Sequence, residues 1–217
     1  MAELMRSESV GATKAQEDLW EERLYLAVRR LRDLLLAPLV TPLAALGVPP
    51  TLLSCAGVAL AASLIWSLER APALALGGFV AALLCDALDG ALARRQGCES
   101  ALGKLWDQLC DSATWAAVLV AVLVAGLAPP VGIALAIYLG VLLLFLGVVE
   151  STARRPGAWW VNPRAGFFAH LPKIFVYGAI LVYLLSERSW IPLAVVVSNG
   201  FALAGVVGLL VALKRRG

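Results

Sequence analysis

The sequence predicts an all-α integral membrane protein, with six transmembrane helices preceded by an amphipathic helix that lies in the membrane interface. Three observations predict it. The 217 residues are 61% hydrophobic and only 15% charged, with a mean hydropathy of +0.85; ordinary soluble domains are roughly 45–50% apolar and about 25% charged. A soluble fold of this size has a large core, yet it cannot hide that apolar fraction without leaving an aggregating surface. The apolar residues fall into six stretches, each long enough to cross roughly 30 Å of hydrocarbon at about 1.5 Å per residue. Finally, the basic residues gather beside alternate ends of those stretches, the asymmetry expected of a spanning chain.

Residues 1–18 are polar, with neither an apolar run nor a small-residue cleavage site, so the chain is expected to begin in the cytoplasm without a removable signal peptide. From Lys14 to Ala37, the residues Leu19, Trp20, Leu24, Ala27, Val28, Leu31, Leu34 and Leu35 recur at helical spacing. Between them stand Glu21, Glu22, Arg29, Arg30, Arg32 and Asp33. That pattern is a helix with a Trp/Leu face in the interface and an Arg-rich face among the headgroups. Pro38, Pro42, Pro49 and Pro50 are expected to break the chain after it. Residues 1–40 thus form a polar tail and juxtamembrane helix, and 41–217 a six-helix transmembrane domain. Its spans run at about 51–68, 72–93, 104–127, 130–150, 166–186 and 190–213.

Orientation follows from the arginines and lysines. Arg70 and Arg188 alone occupy the connections between spans 1 and 2 and spans 5 and 6, and the connection around Pro129 and Pro130 has none. The opposite side carries Arg23, Arg29, Arg30 and Arg32, then Arg94, Arg95 and Lys104, then Arg154, Arg155 and Arg164, then Lys214, Arg215 and Arg216. Both termini and the connections between spans 2 and 3 and spans 4 and 5 are therefore expected in the cytoplasm, with the plasma (inner) membrane as the expected location. A net charge of +3, with no Lys/Arg run interleaved with aromatics, argues against nucleic acid as a partner. Cys55, Cys85, Cys98 and Cys110 form no CxxC pair and read as small hydrophobes. Trp159 and Trp160 read as interface anchors.

The second and third spans carry what a membrane helix avoids: Asp86 and Asp89 in CDALDGALARR, then Asp107 and Asp111 in GKLWDQLCD. Each aspartate costs about 2.5–3.5 kcal/mol at a helix centre on insertion scales, so something must compensate them. Asp86 and Asp89 are i, i+3 and Asp107 and Asp111 are i, i+4, so each pair shares a helical face. A connecting segment of only about 94–103 is expected to make the two helices antiparallel neighbours, with all four carboxylates converging. Converging carboxylates repel unless cations neutralise them. Their oxygens suit Mg²⁺, Mn²⁺ or Ca²⁺, and the single His170 cannot build a zinc site. Aspartate-held metals with a cation nearby stabilise the charge that develops in phosphoryl transfer. Arg94, about two turns beyond Asp86, stands where it can hold a phosphate. Gly90 and Gly103 leave room for a substrate, or equally for close helix packing. On the residues alone, two other readings stand beside this one: a proton or cation pathway in a transporter, and structural pairing with Arg94, Arg95 and Lys104.

Read in full, the stretch is Asp86-x2-Asp89-Gly90-x2-Ala93-Arg94-x8-Gly103-x3-Asp107-x3-Asp111. It resembles the signature of the CDP-alcohol phosphatidyltransferases, with all eight fixed positions filled at the family's spacing. Upstream, Gly47-Val48-Pro49-Pro50-Thr51-Leu52-Leu53-Ser54 is similar to a family segment that usually reads Pro-Asn before the first span; here Thr51 stands in place of the Asn. The resemblance implies displacement of CMP from a CDP-linked donor, expected to be CDP-diacylglycerol, by the hydroxyl of a polar alcohol. It implies two divalent ions, Mg²⁺ or Mn²⁺, held on the donor diphosphate by Asp86, Asp89 and Asp107. Asp111 becomes the general base, also touching a metal, while Gly90, Ala93, Arg94 and Gly103 line the cytidine diphosphate site. A homodimer is implied as well.

Acceptor choice should rest on groups opposite the carboxylates. The region between spans 4 and 5 offers Glu150, Arg154, Arg155, Arg164, His170 and Lys173. Arg154, Arg155, Arg164 and Lys173 are the candidate acceptor-binding residues, and several cations suit a phosphorylated polyol such as glycerol 3-phosphate or inositol phosphate. Topology and headgroup snorkelling account equally well for Arg154 and Arg155. The alternatives are a serine, choline or ethanolamine type of substrate pair within the family and, outside it, a non-catalytic membrane metal-binding protein or a transporter.

Overall fold

The computed structural model describes the backbone of residues 30–154 and 163–214, and the side chains there except those at 101, 104, 150–154, 163–170 and 212. Among the described residues there are seven helices and no strand. The chain divides between Val48 and Pro49 into an N-terminal unit and a helical bundle.

In the N-terminal unit the described residues form α1, over 30–45. Contrary to expectation, Pro38 and Pro42 do not break it: each removes one N–H from the ladder and leaves the flanking turns to carry the helix. α1 stops at Gly47, whose φ is +66°. There the N–H of Val48 donates to Leu43 O and that of Gly47 to Ala44 O, both at 3.1 Å, the paired bonds that close a helix on a left-handed residue. Leu31, Leu34, Leu35 and Leu39 are exposed, the open apolar face that an interfacial helix presents. The stretch of the amphipathic pattern before Arg30 lies outside the described residues.

The bundle consists of α2 (Pro50–Arg70), α3 (Pro72–Gln96), α4 (Ala101–Val124), α5 (Pro130–Arg154), α6 (Pro163–Ser186) and α7 (Ile191–Lys214). These match the six apolar stretches of the sequence in order. Five contain a segment long and apolar enough to span a membrane, and α6 contributes a shorter apolar segment, Leu171–Ser186, among the described residues. The protein is an integral membrane protein, and its large apolar side chains, among them Trp66, Val131, Tyr138 and Phe145, lie open on the outside of the bundle.

Prolines begin α2 and α3, at a position where the missing N–H costs nothing. α2 passes to α3 through Ala71 alone. α3 ends at Gly97, with φ of +64°, where the Cys98 N–H donates to Ala93 O at 3.1 Å. Three residues later Ser100 caps α4, its side chain accepting from the Gly103 N–H at 3.0 Å. A tight stop and a capped start thus bring the acidic ends of α3 and α4 to the same end of the bundle.

Packing departs from one expectation. α3 and α4 touch each other only sparingly, and α2 packs extensively against both. The reason is visible at Gly57 on α2: a Cβ there would come within 3.3 Å of Cys85 Cβ, so the α2 and α3 backbones approach as only a small residue permits. α7 packs likewise against both α5 and α6, and smaller contacts from α4 to α5 and α3 to α6 join the two halves. A buried core including Leu64, Phe79, Trp115, Leu119, Val176 and Ile180 runs through both. A second cluster, with Leu139, Leu143 and Val206, lies between α5 and α7, where Asn199 Nδ2 also donates to Gly132 O at 3.0 Å. The four cysteines are free thiols.

Candidate active site

Asp89 is the buried member of the carboxylate group, 4% exposed. Its Oδ2 accepts from the Ser54 hydroxyl of α2 at 2.6 Å, and its Oδ1 accepts from the Gly90 N–H at 2.5 Å. Both oxygens are thereby oriented, one across helices and one locally. Such buried charge-assisted bonds are roughly twice as strong as neutral ones, so Asp89 is fixed before any ligand arrives. Asp86, one turn earlier, is exposed. Asp107 of α4 is also exposed; it lies close enough to Asp89, Asp86 and Asp111 for their charges to act on it. The four aspartates thus share one electrostatic neighbourhood, assembled by α3 and α4 on the common support of α2.

Asp111, one turn deeper on α4, is held from across the bundle. Its Oδ2 is paired with the Lys173 ammonium of α6. Side-chain exposures of 14% for Lys173 and 23% for Asp111 place this pair away from bulk water, where separating the partners is costly. One turn beyond Lys173, the Tyr177 ring stands edge-on to Phe79 of α3, at 5.4 Å and 84°, and to Trp115 of α4, at 5.7 Å and 62°. Its hydroxyl is buried and without a hydrogen-bond partner among the described residues, an omission that costs about 1–3 kcal/mol.

The remaining signature positions sit around this group. The Arg94 guanidinium folds back along α3, within 3.3 Å of where a Cβ on Gly90 would stand. Gly90 therefore leaves room for that guanidinium beside the helix. Ala93 supplies the carbonyl that closes α3, and Gly103 the N–H that Ser100 caps; both act here through the backbone. The side chains of Arg154, Arg155 and Arg164 lie outside the described residues, as do those of Glu150 and His170. Lys173, the candidate acceptor residue whose side chain is described, stands at the carboxylates.

Among the described residues, no three His, Cys, Asp or Glu side chains stand close enough to hold a metal ion as they are. The donor set itself fits Mg²⁺ or Mn²⁺: hard carboxylate oxygens, two of them already aimed by hydrogen bonds, with no imidazole among the donors. Mutually close carboxylates also need a positive charge between them to remain ionised together.

Two contributors escaped the sequence reading. Ser54 was part of a recognised segment, but a serine in an apolar helix carries no mark of the aspartate 35 residues away that it holds. Tyr177 had one available signal: it stands four residues after Lys173, on the same face of α6.

The family model for CDP-alcohol phosphatidyltransferase matches residues 48–211, taking in α2 through α6 and most of α7. No curated protein and no solved structure matches the chain. The match covers most of the sequence and contains every aspartate of the site, and the chain belongs to the CDP-alcohol phosphatidyltransferase family.

Proposed function

We propose that the protein makes phospholipid by moving the phosphatidyl group of CDP-diacylglycerol onto the hydroxyl of a phosphorylated polyol, such as glycerol 3-phosphate or inositol phosphate, with release of CMP. Family membership supports phosphatidyl transfer from a CDP-linked donor. The observation that carries the finer reading is the pairing of Asp111 with Lys173 beside three further aspartates: a carboxylate and a cation meet on the side of the site facing α6.

In this reading Asp86, Asp89 and Asp107 hold two Mg²⁺ or Mn²⁺ ions, with Asp111 at their edge. Bound there, the ions neutralise the donor diphosphate and the charge that gathers on departing CMP. Ser54 fixes the direction in which Asp89 presents its oxygens. Arg94 lies against phosphate along the open face of Gly90, and the ends of α3 and α4 around Ala93 and Gly103 flank the cytidine diphosphate. The acceptor oxygen attacks the phosphorus bearing the diacylglycerol, the bond from that phosphorus to the CMP oxygen breaks, and the acceptor proton passes to Asp111. A site at the end of the spans lets the acyl chains of the donor stay in hydrocarbon while a polar acceptor arrives from water. The basic residues on that side support a cytoplasmic orientation in the plasma (inner) membrane, and the family resemblance supports a homodimer.

The test is CMP release from CDP-diacylglycerol by the purified protein, with product lipid identified by mass. Release that requires both Mg²⁺ or Mn²⁺ and an added polyol phosphate is expected. Absence of release with every acceptor would leave the non-catalytic alternative.

A further inference from the structure

α6 presents two polar groups to the carboxylates, and they differ in a telling way: the ammonium of Lys173 is already engaged, on Asp111, and the hydroxyl of Tyr177 is engaged by nothing among the described residues. Four residues apart, they stand one above the other on a single helical face. The Tyr177 ring cannot swing aside, because Phe79 and Trp115 meet it from α3 and α4. Trp115 is itself one turn past Asp111 on α4, so the ring lies beneath the Lys173–Asp111 pair, where the charges of Asp111 and Asp86 reach it. One oxygen of the carboxylate expected to meet the acceptor hydroxyl is therefore taken by Lys173, and a donor held beside it between two aromatic rings is unused among the described residues.

We propose that this face of α6 makes the enzyme selective for acceptor alcohols that carry an anionic group: the anion draws Lys173 away from Asp111 and uncovers the carboxylate for the acceptor hydroxyl, while Tyr177 hydrogen-bonds to the acceptor from below. The inference rests on the phosphatidyl-transfer reading and adds to it a means of selection. A neutral alcohol offers Lys173 no replacement partner, and pulling a half-buried ion pair apart without one leaves both charges stranded. A phosphate or carboxylate on the acceptor supplies that partner through a charge-assisted bond. Lysine suits such an exchange because its ammonium is a compact charge on a flexible stem that can pass between two anions. Selection then acts on turnover as well as on binding: a neutral alcohol of the right shape can enter and still find Asp111 occupied. An acceptor with a fixed positive charge, such as choline, is disfavoured for the same reason.

The experiment uses the purified full chain in detergent with CDP-diacylglycerol and Mg²⁺, and acceptors in matched pairs that differ only in phosphate: glycerol 3-phosphate against glycerol, and inositol phosphate against inositol. Product lipid is read by mass, with kcat and KM for each acceptor and for the donor. In at least one pair the phosphorylated member should be preferred by about tenfold or more in kcat/KM, part of it in kcat. Lys173→Met should collapse that preference with the donor KM unchanged, and Lys173→Arg, which keeps the charge, should recover part of it. Tyr177→Phe should raise the acceptor KM roughly three- to tenfold, the worth of a neutral hydrogen bond. Equal use of both members of each pair by the wild type, a preference that survives Lys173→Met, or a Lys173→Met effect confined to the donor KM would each overturn the proposal while leaving phosphatidyl transfer in place. Transfer to no acceptor in either pair would remove both. Should Lys173→Met fail to elute as a folded protein, the wild-type pairs and Lys173→Arg decide the question.

Discussion

α3 and α4 gather their four aspartates in the part of the bundle nearer the short connection from Gly97 to Ser100, where Ser54 of α2 and Arg94 also lie. α5, α6 and α7 spread their polar side chains: Lys173 and Tyr177 face the carboxylates, whereas Asn199 ties α7 to Gly132 of α5, away from the four aspartates in sequence. Both halves are built alike as apolar helices, with one helix packed against the other two. The difference teaches that polarity in this bundle has two separate uses. In the first half it concentrates charge that only a cation or a cationic partner can balance; in the second, among the described residues, it provides the Lys173 ammonium as a counter-charge and the bond from Asn199 to Gly132 between helices.

Substitutions that respect or cross this division test it. The largest effect is expected at Asp111, where the halves meet. Asp111→Asn removes the proposed proton acceptor and should lower turnover by about 10³-fold while CDP-diacylglycerol binding persists, a contrast read by CMP release beside a donor-binding assay. Near-normal turnover would detach the chemistry from this residue. Next comes Asp89→Asn, which should raise the Mg²⁺ concentration needed for half-maximal activity by about tenfold or more; an unchanged titration would contradict ligation by the buried carboxylate.

Ser54→Ala should move the same titration in the same direction, about tenfold or less, since it removes only the bond that aims Asp89. Ser54→Thr, which keeps the hydroxyl, should restore it. Loss of thermal stability in Ser54→Ala with an unaltered metal dependence would reassign the bond to helix packing. The smallest effect is expected in the other half. Asn199→Ala breaks the tie to Gly132 and should cost about 0.6 kcal/mol in unfolding measured in detergent, with turnover per folded molecule unchanged. Activity lost there in proportion to Asp111→Asn would dissolve the distinction between the halves.

Much of this was legible in the linear chain. Apolar runs separated by prolines, glycines and charges mark α2 to α7, because a segment crossing hydrocarbon must satisfy its backbone internally and can do so as a helix. The aspartates stood out because ionisable residues are costly in such segments. Proline was read too strongly before the bundle: Pro38 and Pro42 were expected to end a helix that instead runs over 30–45. The short connection after α3 was read as direct packing of α3 on α4, but a short connection brings helix ends together without making the helices lie along each other. Small residues decided that, and α2, with Gly57 against Cys85, took the central place.

The sequence by itself determined the solvent, the number and order of the helices, the family, and the residues that bear charge, because these depend on local composition and on spacing within one helix. Only the tertiary structure decided which side chains from different helices meet: Ser54 with Asp89, Lys173 with Asp111, and Tyr177 with Phe79 and Trp115. Contacts between residues 35 or 62 positions apart leave no periodic trace in the chain. They arise from how apolar surfaces pack, and the polar groups meet where that packing carries them.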